Sequence, residues 1–161
     1  MIIRAVVEKF ISEKTDLIDH GDWDAVYNVF YTEYAEEEKD IGNLTDALIA
    51  AGINPLEGKK SVHTYMFYES EQTEVIIPDS VFEICAEAFT KTSDMRKIYI
   101  PKSVKKFAFR CFKNVGLWPM AVQITYEGTR NEWLEIYKER GWDYETIMNV
   151  KCLGDKKWNS N

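Results

Sequence analysis

The chain is poor in the residues that carry most enzyme chemistry. It has two histidines, His20 and His63, and neither lies in a catalytic or metal-binding motif. A phosphate-binding loop and a nucleophile elbow are also missing. The cysteines are odd in number, Cys85, Cys111 and Cys152, and their spacing fits neither a disulfide framework nor a metal site. We therefore expect a protein that is not an enzyme, without cofactor or metal, and with buried structural thiols.

Long apolar runs and a secretion signal are lacking as well. The longest apolar runs are far too short to span a bilayer. Near the start of the chain, Glu8 and Lys9 interrupt what would be the apolar region of a signal peptide. With 45% hydrophobic and 14% aromatic residues, the composition supports a packed core and not a disordered chain. These features predict a cytoplasmic protein of a bacterial host, without membrane contact.

Two stretches of the sequence repeat each other at a spacing of 23 residues. Val75–Val81, which reads VIIPDSV, is matched by Ile98–Val104, which reads IYIPKSV. Each stretch opens with a β-rich run that a proline ends, since proline has no N–H for a sheet ladder. A fixed period of this length is typical of solenoids, whose units stack to form one core. The later equivalent pairs are Ile84 with Phe107, Ala88 with Cys111, and Phe89 with Phe112.

The strings IIPDSVFEICAEAF and IYIPKSVKKFAFRCF carry a resemblance to a known repeat. They are similar to the BspA-like leucine-rich repeat, and the resemblance covers residues 61–155. It implies an α/β fold, a short leucine-rich-repeat solenoid with a parallel sheet. The glycine usual in this repeat is replaced by Cys85 in one unit and by Ala108 in the other, which raises the question of how tight that turn is.

The repeats are flanked by less regular units. Ser61-Val62 and Met66-Phe67 are interpreted as a degenerate first unit with deletions relative to the later ones. A third strand is expected at 124–126, after a loop widened near 116–119. The C-terminal features that resemble the cap of the same repeat family are a capping box of Thr129 and Glu132, a helix with Trp133 that ends at Gly141, a last strand at 149–152, and a polar tail at 156–161.

Residues 1–60 have helical periodicity and no repeat. We expect an acidic helical head of three helices: one along Val6–Ile18, a second capped by Asp22, and a third near Leu44–Ala51. This head should pack on the first repeat, since about 60 residues make a marginal domain. Helices in front of a short repeat stack also loosely resemble small proteins encoded by phages and mobile elements, through the segment IGNLTDALIAAGINPLE.

Charge is unevenly placed along the chain. The first 60 residues hold 6 basic and 13 acidic residues, whereas the remainder holds 14 of each. No carboxylate lies between Asp94 and Glu127. The seven cations in that gap are Arg96, Lys97, Lys102, Lys105, Lys106, Arg110 and Lys113. They fit two interpretations: a solvated face that keeps the stack soluble, or a contact patch for phosphates or an acidic protein surface.

Two further features bear on contacts. Tyr99 is taken as the only exposed side chain in the basic stretch that could stack on a base. Glu36, Glu37 and Glu38 are placed at the C-terminal end of a helix, where the helix dipole disfavours them and a contact role would explain them.

The sequence thus predicts a non-catalytic protein-binding module. Its finer form is a phage or mobile-element inhibitor of a host defence or nucleic-acid enzyme. The alternatives are a self-assembling virion or cell-surface component, and a protein that binds nucleic acid or phosphate through the second repeat. The outward strand residues expected to line the sheet are Glu74, Ile76, Lys97, Tyr99, Gln123 and Thr125. The candidate partner-binding residues are Lys97, Tyr99, Lys102, Lys105, Lys106, Arg110, Lys113, Glu36, Glu37 and Glu38.

Overall fold

The computed structural model describes residues 1–116, 122–137 and 149–155. In this part of the chain, four helices precede a parallel β-solenoid of about three turns. The helices are α1 (Ala5–Glu13), α2 (Thr15–His20), α3 (Trp23–Glu33), α4 (Glu38–Ala50) and α5 (Arg130–Tyr137). The strands are β1 (Ser61–Val62), β2 (Glu74–Ile76), β3 (Glu83–Ile84), β4 (Lys97–Ile100), β5 (Lys106–Phe107), β6 (Gln123–Tyr126) and β7 (Lys151–Cys152).

The predicted first helix is broken in two. Lys14 leaves the helical conformation, with φ −118° and ψ 32°, and separates α1 from α2. The hydroxyl of Thr15 donates back to the Ile11 carbonyl oxygen at 3.1 Å. Such side-chain bonds to the preceding turn compete with regular helix geometry. The expectation of three helices was wrong, since the region has four. The break was not predicted because the apolar periodicity continues across it.

The third predicted helix begins earlier than expected. Asp22 caps α3 as predicted, by accepting the Ala25 N–H at 3.2 Å. Helix α4, however, starts at Glu38, because one Asp40 oxygen accepts the backbone N–H groups of both Glu36 and Glu37. The three glutamates therefore lie at the start of a helix, where its dipole favours negative charge. Their placement at a helix C-terminal end was wrong.

The repeats build two parallel sheets, one on each side of the solenoid. The three-stranded sheet has the order β1-β3-β5, and the four-stranded sheet has the order β2-β4-β6-β7. In the four-stranded sheet Val75 aligns with Ile98, and Ile98 aligns with Ile124. Each turn of the chain thus contributes one strand to each sheet in turn, and the predicted solenoid with a parallel sheet is confirmed.

An aromatic stack runs through the interior of the repeats. The rings of Phe67 and Phe89 are parallel within 1° at 5.0 Å, and those of Phe89 and Phe112 lie 5.3 Å apart. All three side chains are buried. Since one repeat cannot cover its own apolar face, each ring is covered by the equivalent ring of the next turn.

The first unit is more regular than the sequence suggested. Val62 aligns with Ile84, and Ile84 aligns with Phe107. Each of these residues stands five positions before a ring of the aromatic stack. The first turn therefore has no deletion in this half. The misreading arose because Ser61-Val62 resembles the later Ser-Val pairs, whereas it pairs with a segment three residues further on.

Backbone hydrogen bonds hold neighbouring turns together where they leave the strands. Cys85 donates its N–H to the Val62 carbonyl, and Ala108 donates its N–H to the Ile84 carbonyl, each at 2.9 Å. These are the two positions where the repeat usually has glycine. Neither Cys85 nor Ala108 has a left-handed backbone, so the turn does not require glycine there. Left-handed residues occur instead in two columns of equivalent positions: Tyr65, Glu87 and Arg110, and Glu69, Lys91 and Asn114.

Helix α5 closes the C-terminal end of the described core. The Thr129 hydroxyl accepts the Glu132 N–H at 3.1 Å, while the Glu132 carboxylate accepts the Thr129 N–H at 3.3 Å, which is the predicted capping box. Trp133 is fully buried and packs against Phe107 and Tyr126. The predicted last strand is present as β7. The predicted helix end at Gly141, the loop residues 117–119 and the tail 156–161 lie outside the described residues.

The helices join the repeats through α4. Gly42 lies so close to the Tyr68 backbone that a Cβ atom there would overlap the Tyr68 carbonyl oxygen. One turn further, the Thr45 hydroxyl donates to the Met66 carbonyl at 2.5 Å and lies 2.6 Å from the Tyr27 hydroxyl. One hydrophobic cluster runs through both regions. The division into a head at 1–60 and repeats from 61 stays a prediction.

Two carboxylates complete this junction. Asp46 accepts hydrogen bonds from the Ser70 hydroxyl and the Glu71 N–H, at 2.6 Å and 3.0 Å. Asp24 pairs with the buried Lys59 ammonium at 2.8 Å and accepts the Lys60 N–H. Burial lowers the pKa of Lys59 although Asp24 opposes the shift. Burial would raise the pKa of Asp24, but these two bonds and the lysine charges hold it below its usual value.

Candidate functional site

The outward side chains of the four-stranded sheet form two columns. Glu74 aligns with Lys97, and Lys97 aligns with Gln123. Two residues along, Ile76, Tyr99, Thr125 and Lys151 follow one another across four strands. Ile76 is 64% exposed, although it is a large apolar residue. We call these seven residues the sheet face; the six outward residues predicted from alternation all lie on it.

Tyr99 is more constrained than the sequence suggested. Its hydroxyl donates to the Glu127 carboxylate at 2.9 Å, and its side chain is half-buried. Burial and this carboxylate raise the pKa of Tyr99, so it stays a neutral phenol. The ring is therefore a fixed part of the sheet face, with less area available for stacking than an exposed side chain would have.

The seven cations of the acid-free window do not form a single patch. The window spans a full turn of the solenoid, so its residues are distributed around the molecule. Lys97 lies on the four-stranded sheet and Lys106 on the three-stranded sheet. Lys102 lies 3.8 Å from Glu132 of α5. The structure thus separates residues that the linear sequence groups together.

Carboxylates of the preceding turn stand beside several of these cations. Glu74 aligns with Lys97, and Glu83 aligns with Lys106, in the register of the two sheets. The 23-residue spacing likewise relates two further acid–base pairs, Asp79 with Lys102 and Glu87 with Arg110. An acidic turn therefore lies next to a basic turn, and attraction between adjacent turns accounts for part of the pattern. This arrangement supports the interpretation of the window as a solvated face that is balanced within the molecule.

Two exposed phenylalanines were missed by sequence reasoning. Phe82 is 43% exposed and Phe109 is 57% exposed. The Lys106 ammonium lies 5.8 Å from the centre of the Phe82 ring, and the Arg110 guanidinium lies 4.6 Å from that of Phe109. The prediction that Tyr99 is the only exposed side chain of the basic stretch that could stack on a base was wrong, since Phe109 lies in that stretch and is exposed. Alternation could have revealed Phe82, since it follows the buried Val81.

We call Phe82, Lys105, Lys106, Phe109 and Arg110 the β5 surface. Three of them, Lys105, Lys106 and Arg110, were candidate partner-binding residues on charge alone. Lys106 lies over the Phe82 ring and Arg110 lies over the Phe109 ring, both within the distance range of cation–π attraction. The β5 surface thus combines exposed aromatic rings with positive charge.

The acidic candidates lie apart from both surfaces, at the start of α4. Glu36, Glu37 and Glu38 are exposed. Glu37 pairs with Arg4 at 3.0 Å and lies 3.4 Å from Lys39. Since the helix dipole now favours these charges, the energetic argument for a contact role no longer applies.

The environments of His63 and of the three cysteines disfavour the charged forms of these side chains. His63 and Cys85 follow the aligned pair Val62 and Ile84, so their backbones are neighbours. Burial, followed by the Glu83 charge, raises the pKa of the Cys85 thiol, which disfavours the nucleophilic thiolate. Burial also raises the pKa of Cys111 and Cys152. Burial lowers the pKa of His63, whose ring contacts those of Tyr27 and Tyr31.

The described residues contain neither a metal-binding cluster nor a membrane-spanning helix. No group of three or more histidine, cysteine or acidic residues in that part of the chain could hold a metal ion. None of the helices described here is long and apolar enough to cross a membrane.

Comparison with known proteins identifies the repeats. Residues 60–132 match the family described as BspA type Leucine rich repeat region (6 copies). Neither the curated proteins nor the solved structures contain a match to the chain. The loose resemblance to phage proteins therefore has no support from a homologue and stays a prediction. Leucine-rich repeats generally mediate protein interactions and are typically non-catalytic. This similarity covers all of the β5 surface and every residue of the sheet face except Lys151.

Proposed function

We propose that this protein is a non-catalytic protein-binding module and that the sheet face contacts the partner. The observation that supports this best is the alignment of its side chains in columns across four parallel strands. Parallel pairing fixes the spacing between these side chains, so little conformational freedom is lost when they bind. The exposed Ile76 supplies an apolar point beside Lys97, and such a combination suits a protein surface better than a small ligand.

The finer form of the proposal concerns the partner. In this form, the partner is a host enzyme in the cytoplasm that acts in defence or on nucleic acid. The present protein is encoded by a phage or mobile element and inhibits that enzyme by binding to it. The loose resemblance in architecture and in the segment 41–57 supports this form. It requires no active site in the chain, in keeping with the raised pKa of the thiols.

The experiment is capture of partners from a host lysate, followed by mass spectrometry. The unmodified protein should retain a partner that the Ile76→Asp, Lys97→Glu variant loses. A control variant, Glu36→Lys with Glu38→Lys, makes a charge change of similar size at an exposed helix start and should retain the partner. Substitutions at exposed sites change the free energy of unfolding by only about 0.5 kcal/mol, so both variants should stay folded.

Three outcomes separate the possibilities. Loss of the partner in the sheet-face variant alone supports the proposal. Loss in the control alone moves the contact to the helices. If no host protein is retained and gel filtration shows larger species at low salt than at high salt, association between copies replaces the proposal, because such contacts between acidic and basic regions are screened by salt.

A further inference from the structure

We infer that the β5 surface is a second binding site, which takes an acidic protein segment with a large apolar side chain. The inference rests on the proposed protein-binding function but uses a different surface. Phe82 and Phe109 expose 43% and 57% of their surface, whereas Phe67, Phe89 and Phe112 of the same repeats are buried in the aromatic stack. Phenylalanine and arginine are both enriched at protein interfaces relative to the rest of the surface.

The charges around the two rings favour an anionic partner. Lys105, Lys106 and Arg110 are exposed, whereas the acidic residues of the preceding turn, Glu83 and Glu87, are half-buried. The outermost charges are therefore positive. Glu132 of the neighbouring helix lies 3.8 Å from Lys102, and the Lys105 charge also acts on it. An approaching carboxylate meets the cations first.

The same charges disfavour a nucleic acid. A single strand carries a charge at every nucleotide, and it would have to follow a surface where carboxylates stand behind the cations. Glu83 aligns with Lys106, so phosphates spaced along a strand would meet both signs. A peptide can place one or two carboxylates on Lys106 and Arg110 and put apolar side chains elsewhere. A few cations with carboxylates of the preceding turn beside them therefore fit a protein segment better than a polyanion.

The site is held rigid without a partner. Arg110 has a left-handed backbone with φ 57°, and its carbonyl accepts the Thr90 hydroxyl at 3.0 Å. On either side, Glu87 donates its N–H to the Phe109 carbonyl, and Phe89 donates its N–H to the Cys111 carbonyl. The backbone that presents Phe109 and Arg110 is thus fixed in advance, which reduces the entropy lost on binding.

The preceding turn supplies substitutions that the fold already accepts. Lys106, Phe109 and Arg110 correspond to Glu83, Ala86 and Glu87 at the 23-residue spacing. Lys106→Glu, Phe109→Ala and Arg110→Glu therefore install residues that stand at the same positions one turn earlier, including a glutamate in the left-handed conformation. The two glutamates would face Glu83 and Glu87, so the charge-reversed variants lose some stability, which thermal unfolding measures, whereas Phe109→Ala introduces no repulsion.

The test is selection of short random peptides on the surface of phage by the full chain, followed by measurement of the selected peptides in solution. The selected sequences should combine Asp or Glu with a large apolar residue. Their affinity should fall at least about tenfold with Lys106→Glu plus Arg110→Glu, and separately with Phe109→Ala. It should change less than about twofold with the sheet-face variant, and it should weaken as salt rises from about 50 to 500 mM.

Several outcomes would overturn the inference. They are selection of no peptide, selection of peptides without acidic residues, and binding that survives all three substitutions. Competition by an unstructured oligothymidine at the same concentration as the peptide would identify the site as one for nucleic acid. The proposed function fails separately, since it depends on the response of a host partner to the sheet-face variant.

Discussion

The repeats and the helices in front of them are held together by different means. Between repeats, the contacts recur: a backbone ladder, a ring stacked on a ring, and strands in register at every turn. Between the helices and the first repeat, each contact occurs once, such as Gly42 against the Tyr68 backbone. A substitution within the repeats disturbs both neighbouring turns, whereas a substitution at the junction disturbs one contact. The two regions should therefore respond differently to substitution.

The largest effect is expected at the centre of the aromatic stack. Phe89→Ala should lower the free energy of unfolding by about 3–5 kcal/mol, because the buried ring contacts both Phe67 and Phe112 and leaves a cavity between them. Denaturant unfolding measures the change. Phe109→Ala is the matched control: it removes the same ring from an exposed position and should change stability by only about 0.5 kcal/mol. Equal losses from both variants would mean that the stack is misassigned.

A smaller effect is expected at the junction. Gly42→Ala forces α4 away from the Tyr68 carbonyl and should cost about 1–3 kcal/mol, as overpacking usually does. The comparison between regions is sharpened by hydrogen exchange. Exchange should accelerate in α4 and around Ser70, whose hydroxyl binds Asp46, while protection in β4 and β6 changes little. Uniform acceleration would show that the helices and the repeats unfold as one unit.

The smallest effect concerns pH and His63, which lies where the two regions meet. Burial lowers the pKa of His63 below its ordinary value of 6.5; the Lys59 charge acts in the same direction, and the Thr64 carbonyl and Asp24 oppose it. The unfolded chain therefore binds a proton that the folded protein does not, as pH falls from 6.5 towards the folded pKa. Stability is lost in that window, by at most about 1.4 kcal/mol per pH unit, and then stays constant below it.

His63→Gln should remove this slope, as measured by thermal unfolding between pH 7 and pH 5. A second loss should remain below pH 4 in both proteins. Asp24 and Asp40 have lowered pKa values in the folded state, so their contribution is present above their unfolded pKa and disappears as they are protonated. An unchanged slope in the variant would assign the titration to another group.

How much the sequence predicts also differs between the two regions. In the repeats, each buried residue recurs at a fixed spacing, so Ile98, Phe107 and Phe112 could be identified by matching one stretch to another. The capping box at Thr129 was also predicted, because it joins two residues only three positions apart in the sequence. The break at Lys14 depends on a hydroxyl bond between residues four apart, and apolar periodicity does not register it.

The site was predictable only in part. Alternation along the strands placed the sheet face, since strand residues point to opposite sides by necessity. It could not show that the basic window wraps around the molecule, because that follows from where the chain turns. Phe82 and Phe109 were overlooked since a phenylalanine in a repeat is usually counted as core, and their exposure depends on turns whose conformation the residues do not specify.

The two columns of left-handed residues have a consequence for how the surface can vary. A residue other than glycine in this conformation is normally disfavoured by about 1–2 kcal/mol, yet tyrosine, glutamate, lysine, arginine and asparagine all occupy it here. Their backbone is fixed by bonds between turns, such as that from Lys91 to Lys113, and not by their own preferences. Substitutions in these two columns can therefore change the charge and polarity of the surface without altering the backbone of the repeats. New binding surfaces can arise in this way while the fold is kept.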